Sequence, residues 1–106
     1  MTDAPQLFLA PRYLAQVKTI LAEHLPDAQV WAYGSRVNGD HYDASDLDLV
    51  VHFLSDKAQE PFRLSAVREA FSESNLPIIV QLVDWDRIPK SFRDEILAGY
   101  VVVQAP

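Results

Sequence analysis

The sequence predicts an α/β or α+β domain in which helices cover a small sheet, and three observations carry that prediction. Short β-branched and aromatic runs alternate with longer segments of helical period. Proline and glycine punctuate the joins between them. At 106 residues, with 49% hydrophobic content, the chain has the length and apolar content of one core, so a single domain over residues 1–106 is expected.

Residues 1–10 mix proline with apolar residues without a period and read as irregular. Pro11 suits a first helical turn, and Leu14, Val17, Ile20, Leu21 and His24 or Leu25 recur at helical spacing up to Pro26. Val30 to Tyr33 reads as the first strand, closed by Gly34. Residues 36–44 hold Asn38-Gly39 and scattered aspartate, a turn-rich connection with room for one helical turn after Ser35. The second strand spans Asp46 to Leu54, and its run Leu49-Val50-Val51 suits a central position buried on both faces.

Residues 55–60 are polar. Pro61 to Ser74 places Leu64, Val67, Ala70 and Phe71 on one helical face and stops at Asn75 and Pro77. Ile78 to Val83 is the third strand. A third long helix opens at Asp86 or Ile88 with Pro89, carries Phe92, Ile96 and Leu97, and ends at Gly99. Tyr100 to Val103 is a terminal edge strand.

Composition narrows the chemistry. Nine basic and fifteen acidic residues give a net charge of -6, which disfavours broad binding to a nucleic-acid backbone. The absence of cysteine rules out disulfides and thiolate zinc sites and agrees with a reducing compartment. No long apolar run, signal peptide or lipidation motif is present, so a cytoplasmic protein without a membrane segment is expected. There is no Gly-x-Gly-x-x-Gly, no glycine-rich loop ending in Gly-Lys-Ser/Thr and no calcium loop.

Chemistry concentrates where the first two strands meet. Gly34 permits close backbone approach and Ser35 offers a hydroxyl beside freed amides. Asp46 and Asp48 are two apart, so in a regular strand both project from one face. At about 5 Å and an effective dielectric of 20 they repel by roughly 3 kcal/mol, which a divalent cation reverses. Oxygen donors of this kind suit Mg²⁺ or Mn²⁺. His52 lies farther along the same strand and reads as a supporting or structural histidine; Trp31 and Trp85 read as core.

Gly34-Ser35-Arg36 followed by Asp46-Leu47-Asp48-Leu49 resembles the Gly-Ser…Asp-x-Asp signature of the DNA polymerase beta nucleotidyltransferase superfamily. The short chain, the leading helix and the run from Leu76 to Trp85 resemble its minimal nucleotidyltransferase branch. The resemblance implies a nucleotidyltransferase fold with a small mixed sheet flanked by helices. It also implies that Gly34 and Ser35 hold the triphosphate of ATP or another nucleoside triphosphate, that Arg36 is a further phosphate contact, and that Asp46 and Asp48 act as catalytic metal ligands for Mg²⁺ or Mn²⁺. Members of this branch often act as antitoxins beside a helical HEPN-family partner, and some transfer AMP to its tyrosine. The pattern's third carboxylate falls here on Gln81, an amide that can neither neutralise a cation nor serve as a base. Asp84, in a regular strand, faces the other way. Two readings follow: transfer of a nucleoside monophosphate to a partner's hydroxyl, or a non-catalytic antitoxin that acts by binding. A metal-dependent glycosyltransferase using Asp-x-Asp needs a larger platform than this chain offers.

Overall fold

The computed structural model describes residues 6–39, 42, 45–54 and 60–106. Helix α1 (Pro11–His24) leads to strand β1 (Gln29–Tyr33), a one-turn helix α2 (Ser35–Asn38) and strand β2 (Leu47–His52). Helix α3 (Glu60–Ser72), strand β3 (Val80–Asp84), a 3-10 turn (Trp85–Arg87), helix α4 (Lys90–Leu97) and strand β4 (Val101–Gln104) follow. The polar stretch 55–59, residues 1–5 and most of 40–44, which the sequence reads as irregular or turn-rich, lie outside the described residues.

The four strands form one mixed sheet in the order β3-β2-β1-β4. β1 pairs antiparallel with β2 and β4, whereas β2 and β3 run parallel. β2 is central and β4 is an edge, as the apolar run at Leu49–Val51 and the terminal position of the last strand suggest. β3 is the other edge, and Arg68 Nη2 from α3 donates to the Leu82 carbonyl at 2.9 Å, which blunts it against pairing with another chain.

One sheet face makes the main core. Val30, Ala32, Leu47, Leu49, Val51 and Leu82 pack there against Val17 and Leu21 of α1 and Leu64, Val67 and Phe71 of α3. Each fully buried leucine or valine is worth about 1.5–3 kcal/mol of transfer free energy, so this layer holds the sheet in place. The opposite face carries Trp31, Tyr33, Asp48, His52, Gln81 and Val83, with α4 beside it through Phe92, whose ring meets Tyr33 edge-on at 5.7 Å.

Several boundaries differ from the sequence expectation. The third strand begins at Val80 rather than Ile78, because Pro77 and Ile78 stay outside the ladder, and it runs on to Asp84. The segment after it splits in two: Asp84 accepts from the Asp86 amide and caps the 3-10 turn, and Pro89 then precedes α4 in an extended conformation. α3 ends at Ser72, with the Ser74 hydroxyl donating to Phe71 O at 2.6 Å and accepting from Leu76 N at 3.3 Å. Among the described residues, no helix is long and apolar enough to cross a membrane.

Candidate active site

The turn after β1 is shaped by Gly34, whose φ of 82° and ψ of -152° lie where side chains are strained. A Cβ there would stand 2.6 Å from Asp48 Oδ2. The glycine therefore serves a close approach: the backbone of the turn passes directly over the carboxylate of the neighbouring strand. Val37 N and Asn38 N donate back to Gly34 O at 3.0 and 2.9 Å, closing α2 and leaving the amides of its first turn without intrahelical acceptors.

Asp48 lies opposite Tyr33 on β1 and beside Gln81 on β3. Asp46 falls just before β2 rather than within it, which corrects the expected strand start. It nevertheless reaches the same side, because Gln81 Nε2 donates to Asp46 Oδ2 at 3.3 Å. Gln81 thus touches one carboxylate and neighbours the other. Burial, and then the charge of Asp46, hold the Asp48 carboxyl above its ordinary value. Burial and then Asp48 push the Tyr33 hydroxyl up to about 12, so Tyr33 stands beside the carboxylate as a neutral phenol.

Asp84 lies on the other face of β3, opposite Val51, with its carboxylate buried. Its Oδ1 accepts from Asp86 N at 3.0 Å and its Oδ2 is 3.5 Å from Arg87 Nε. It belongs to the turn, away from Asp46 and Asp48.

Arg36 departs from the expected role of phosphate contact. Its side chain is buried, only 6% of the residue being exposed, with Nε donating to Ser45 O at 3.0 Å and Nη1 to Phe8 O at 2.9 Å. Two of its donors are thus engaged by backbone carbonyls within the fold. Ser35 is half-buried at the start of α2, next to the turn. His52 shares the Asp48 face but enters an aromatic cluster, its ring 4.1 Å from Trp31 and 4.6 Å from Trp85. Trp31 also stacks on Tyr100 at 4.1 Å. The two tryptophans are half-buried on this second face, outside the main core where the sequence placed them.

Sequence reasoning missed Tyr33, Ser45 and Phe8. Tyr33 was signalled only by preceding Gly34, and its place beside Asp48 needs the strand register. The roles of Ser45 and Phe8 run through their carbonyls, for which a sequence has no symbol.

Hard oxygen donors from two carboxylates, one of them held above its ordinary value by burial and by its neighbour, beside a turn with no Cβ, fit a small divalent cation. Among the described residues, no group of three or more histidine, aspartate or glutamate side chains could hold a metal. Two carboxylates fill only part of an octahedral cation's coordination and leave the rest to water and other oxygens.

A carboxylate in the central strand β2 and a second just ahead of it lie beside the glycine turn, which is the order of the Gly-Ser…Asp-x-Asp signature that the sequence resembles. Residues 14–103 match the family model described as nucleotidyltransferase domain, and the chain belongs to that family. A relative named probable protein adenylyltransferase MntA, from Haemophilus influenzae, is 44% identical over 104 residues, covering 98% of this chain and 90% of its own. The chain is accordingly a nucleotidyltransferase of the kind that resembles protein adenylyltransferases. A toxin–antitoxin crystal structure with AMP-PNP matches with a TM-score of 0.63 and 16% identity over 88% of this chain and 73% of that one. A tri-AMPylated HEPN toxin of Shewanella oneidensis in complex with its MNT antitoxin matches at 0.55 and 14%, over 88% and 70%. At such identities these structures show a shared fold, and the expected nucleotidyltransferase fold is the one observed.

Proposed function

We propose that this chain binds Mg-ATP at Gly34, Ser35, Asp46 and Asp48 and, as the antitoxin of the pair, transfers AMP to a hydroxyl of a HEPN-type helical partner, the hydroxyl oxygen bonding to the α-phosphorus as pyrophosphate leaves and the hydroxyl proton is lost. The observation that carries the reading is that a Cβ on Gly34 would stand only 2.6 Å from Asp48 Oδ2: the absence of a side chain lets the turn come up against the carboxylate. Similarity to the Haemophilus adenylyltransferase supports AMP as the group moved, and the fold shared with toxin–antitoxin complexes supports the partner.

In this reading Asp46 and Asp48 would hold the magnesium ion, which when bound would supply a Lewis acid for the triphosphate. The residues of the chain do the rest. The Gly34-Ser35 amides and the Ser35 hydroxyl orient phosphate oxygens, and the lack of a side chain at Gly34 brings them within reach of the carboxylates. Gln81 fixes the rotamer of Asp46 through its amide. Tyr33 walls the inner side of Asp48 and excludes water from it.

The test is transfer of label from ATP labelled at the α-phosphate to a HEPN-type helical protein coexpressed and purified with this chain. A labelled partner whose label is lost with Asp48→Asn supports the proposal; a stable complex that never takes label contradicts transfer.

That second outcome defines the rival reading, an antitoxin that neutralises by binding alone, and Gln81 is the observation in its favour. An amide beside Asp46 cannot accept a proton from an attacking hydroxyl. Gln81→Asp discriminates: on the transfer reading turnover rises, general-base contributions being about 10²-fold to 10⁴-fold, with ATP affinity changed less. No gain with Gln81→Asp and a loss with Gln81→Ala would instead make the amide itself the working group.

A further inference from the structure

Arg36 directly follows the turn proposed to hold phosphate, yet its guanidinium points into the protein. Nε donates to Ser45 O at 3.0 Å, and Ser45 is the residue before Asp46. Nη1 donates to Phe8 O at 2.9 Å, while Phe8 N donates to Arg36 O at 2.7 Å. Ser45 is itself fixed from the far side: its amide donates to Tyr42 O and its hydroxyl accepts from Tyr42 N, both at 2.9 Å. Three stretches of chain remote in sequence therefore converge on one side chain. They are the N-terminal segment, the Gly34-Ser35 turn and the approach to Asp46.

Asp46 needs such an anchor more than Asp48 does. Asp48 is within β2, and the ladders to β1 and β3 set its position. Asp46 lies ahead of the strand, at the end of a connection whose length alone fixes nothing. A guanidinium is suited to the task because it is planar, permanently charged and forked, so it can hold two carbonyls in fixed relation, which a lysine ammonium on a flexible stem cannot. Burying that charge is costly unless its donors are satisfied, so a shift of either carbonyl is resisted.

We infer that Arg36 is a positioning residue: it sets the gap between the Gly34-Ser35 turn and Asp46 without touching the nucleotide. The inference rests on the site reading given above and adds to it that metal-nucleotide affinity depends on an arginine acting through Asp46. A misplacement of about 1 Å in a preorganised site costs up to about 10²-fold. Truncating the clamp is accordingly expected to weaken Mg-ATP binding by about tenfold to a hundredfold.

Calorimetric titration of the purified chain with Mg-ATP tests this in a double-mutant cycle of Arg36→Ala and Asp46→Asn, with folding checked by circular dichroism. If Arg36 acts through Asp46, Arg36→Ala weakens binding strongly in the wild-type background but less than about twofold in Asp46→Asn, since coupled residues are non-additive. Methylguanidine restores binding to Arg36→Ala, and methylammonium does not. Full multiplicativity of the two losses would mean that Arg36 meets phosphate directly and would overturn the inference. So would wild-type affinity in a folded Arg36→Ala protein. Should Arg36→Ala fail to fold, Arg36→Lys decides, because it keeps the charge and loses the fork: a comparable loss supports the clamp and unchanged affinity refutes it. The failure of the underlying reading has a different signature, namely Asp46→Asn alone binding Mg-ATP as the wild type does.

Discussion

The two faces of the sheet solve opposite problems. Toward α1 and α3, Leu47, Leu49 and Val51 are fully buried among apolar side chains. On the other face the same strand presents Asp48, Val50 and His52, beside Tyr33, Trp31 and Gln81. That face is half-covered, aromatic and charged, and Asp48 is raised by burial and by Asp46. One strand of alternating residues thus supplies stability with its odd positions and the site with its even ones. The lesson is that the core face carries the cost of keeping two repelling carboxylates together.

If that division is right, the largest effect on stability comes from the core face. Leu49→Ala should cost about 2–5 kcal/mol, the range for a fully buried leucine whose cavity collapses only in part. Asp48→Asn, one residue away, should leave the fold as stable or make it more so, because it removes a repulsion. Urea unfolding of the two variants side by side makes the comparison, and an equal loss in both would erase it.

Gly34→Ala should come next. The backbone conformation is one that only glycine adopts readily, which costs about 1–3 kcal/mol, and the new Cβ would have to displace Asp48 Oδ2 from 2.6 Å. Both stability and nucleotide binding should fall, unlike the outcome for Asp48→Asn, which separates them.

A smaller effect is the dependence on pH. The folded protein holds the Asp48 proton above the ordinary value of 3.8, so ionisation of Asp48 costs stability. That cost is absent below the ordinary value, grows as pH rises toward the raised one and is fully imposed above it. The difference in Tm between Asp48→Asn and wild type should therefore grow as pH rises above 3.8 and level off above the raised value. Tyr33 has the same sign at the alkaline end: stability should fall as pH rises from 10.0 toward about 12. A difference that shrinks with rising pH would mean that Asp48 is stabilised as a carboxylate.

Much of this was legible in the sequence because periodicity and punctuation are local. Val17, Leu21, Leu64, Val67 and Phe71 announced the helical faces of the core, and Leu49 to Val51 announced the central strand. The spacing that brings Gly34 against Asp48 was readable as a motif, although an approach too close for any Cβ was not. The burial of Arg36 was not legible because it depends on where distant carbonyls arrive, and an arginine after a glycine turn has the same letters whether it faces inward or outward. Ile78 and Ile79 have strand composition, yet Pro77 lacks an N–H and the ladder starts only at Val80. Trp31 and Trp85 were apolar enough for the core, but strand alternation sends Trp31 to the second face, where ring contacts with His52 and Tyr100 satisfy it.

The central claim is that Gly34, Asp46 and Asp48 form one metal-nucleotide site. Calorimetry with ATP, with and without magnesium, on the wild type, Asp46→Asn and Asp48→Asn tests it most directly. The expected result is magnesium-dependent binding to the wild type that drops steeply in both variants while both remain folded. Mg-ATP affinity unchanged by either substitution would contradict the account.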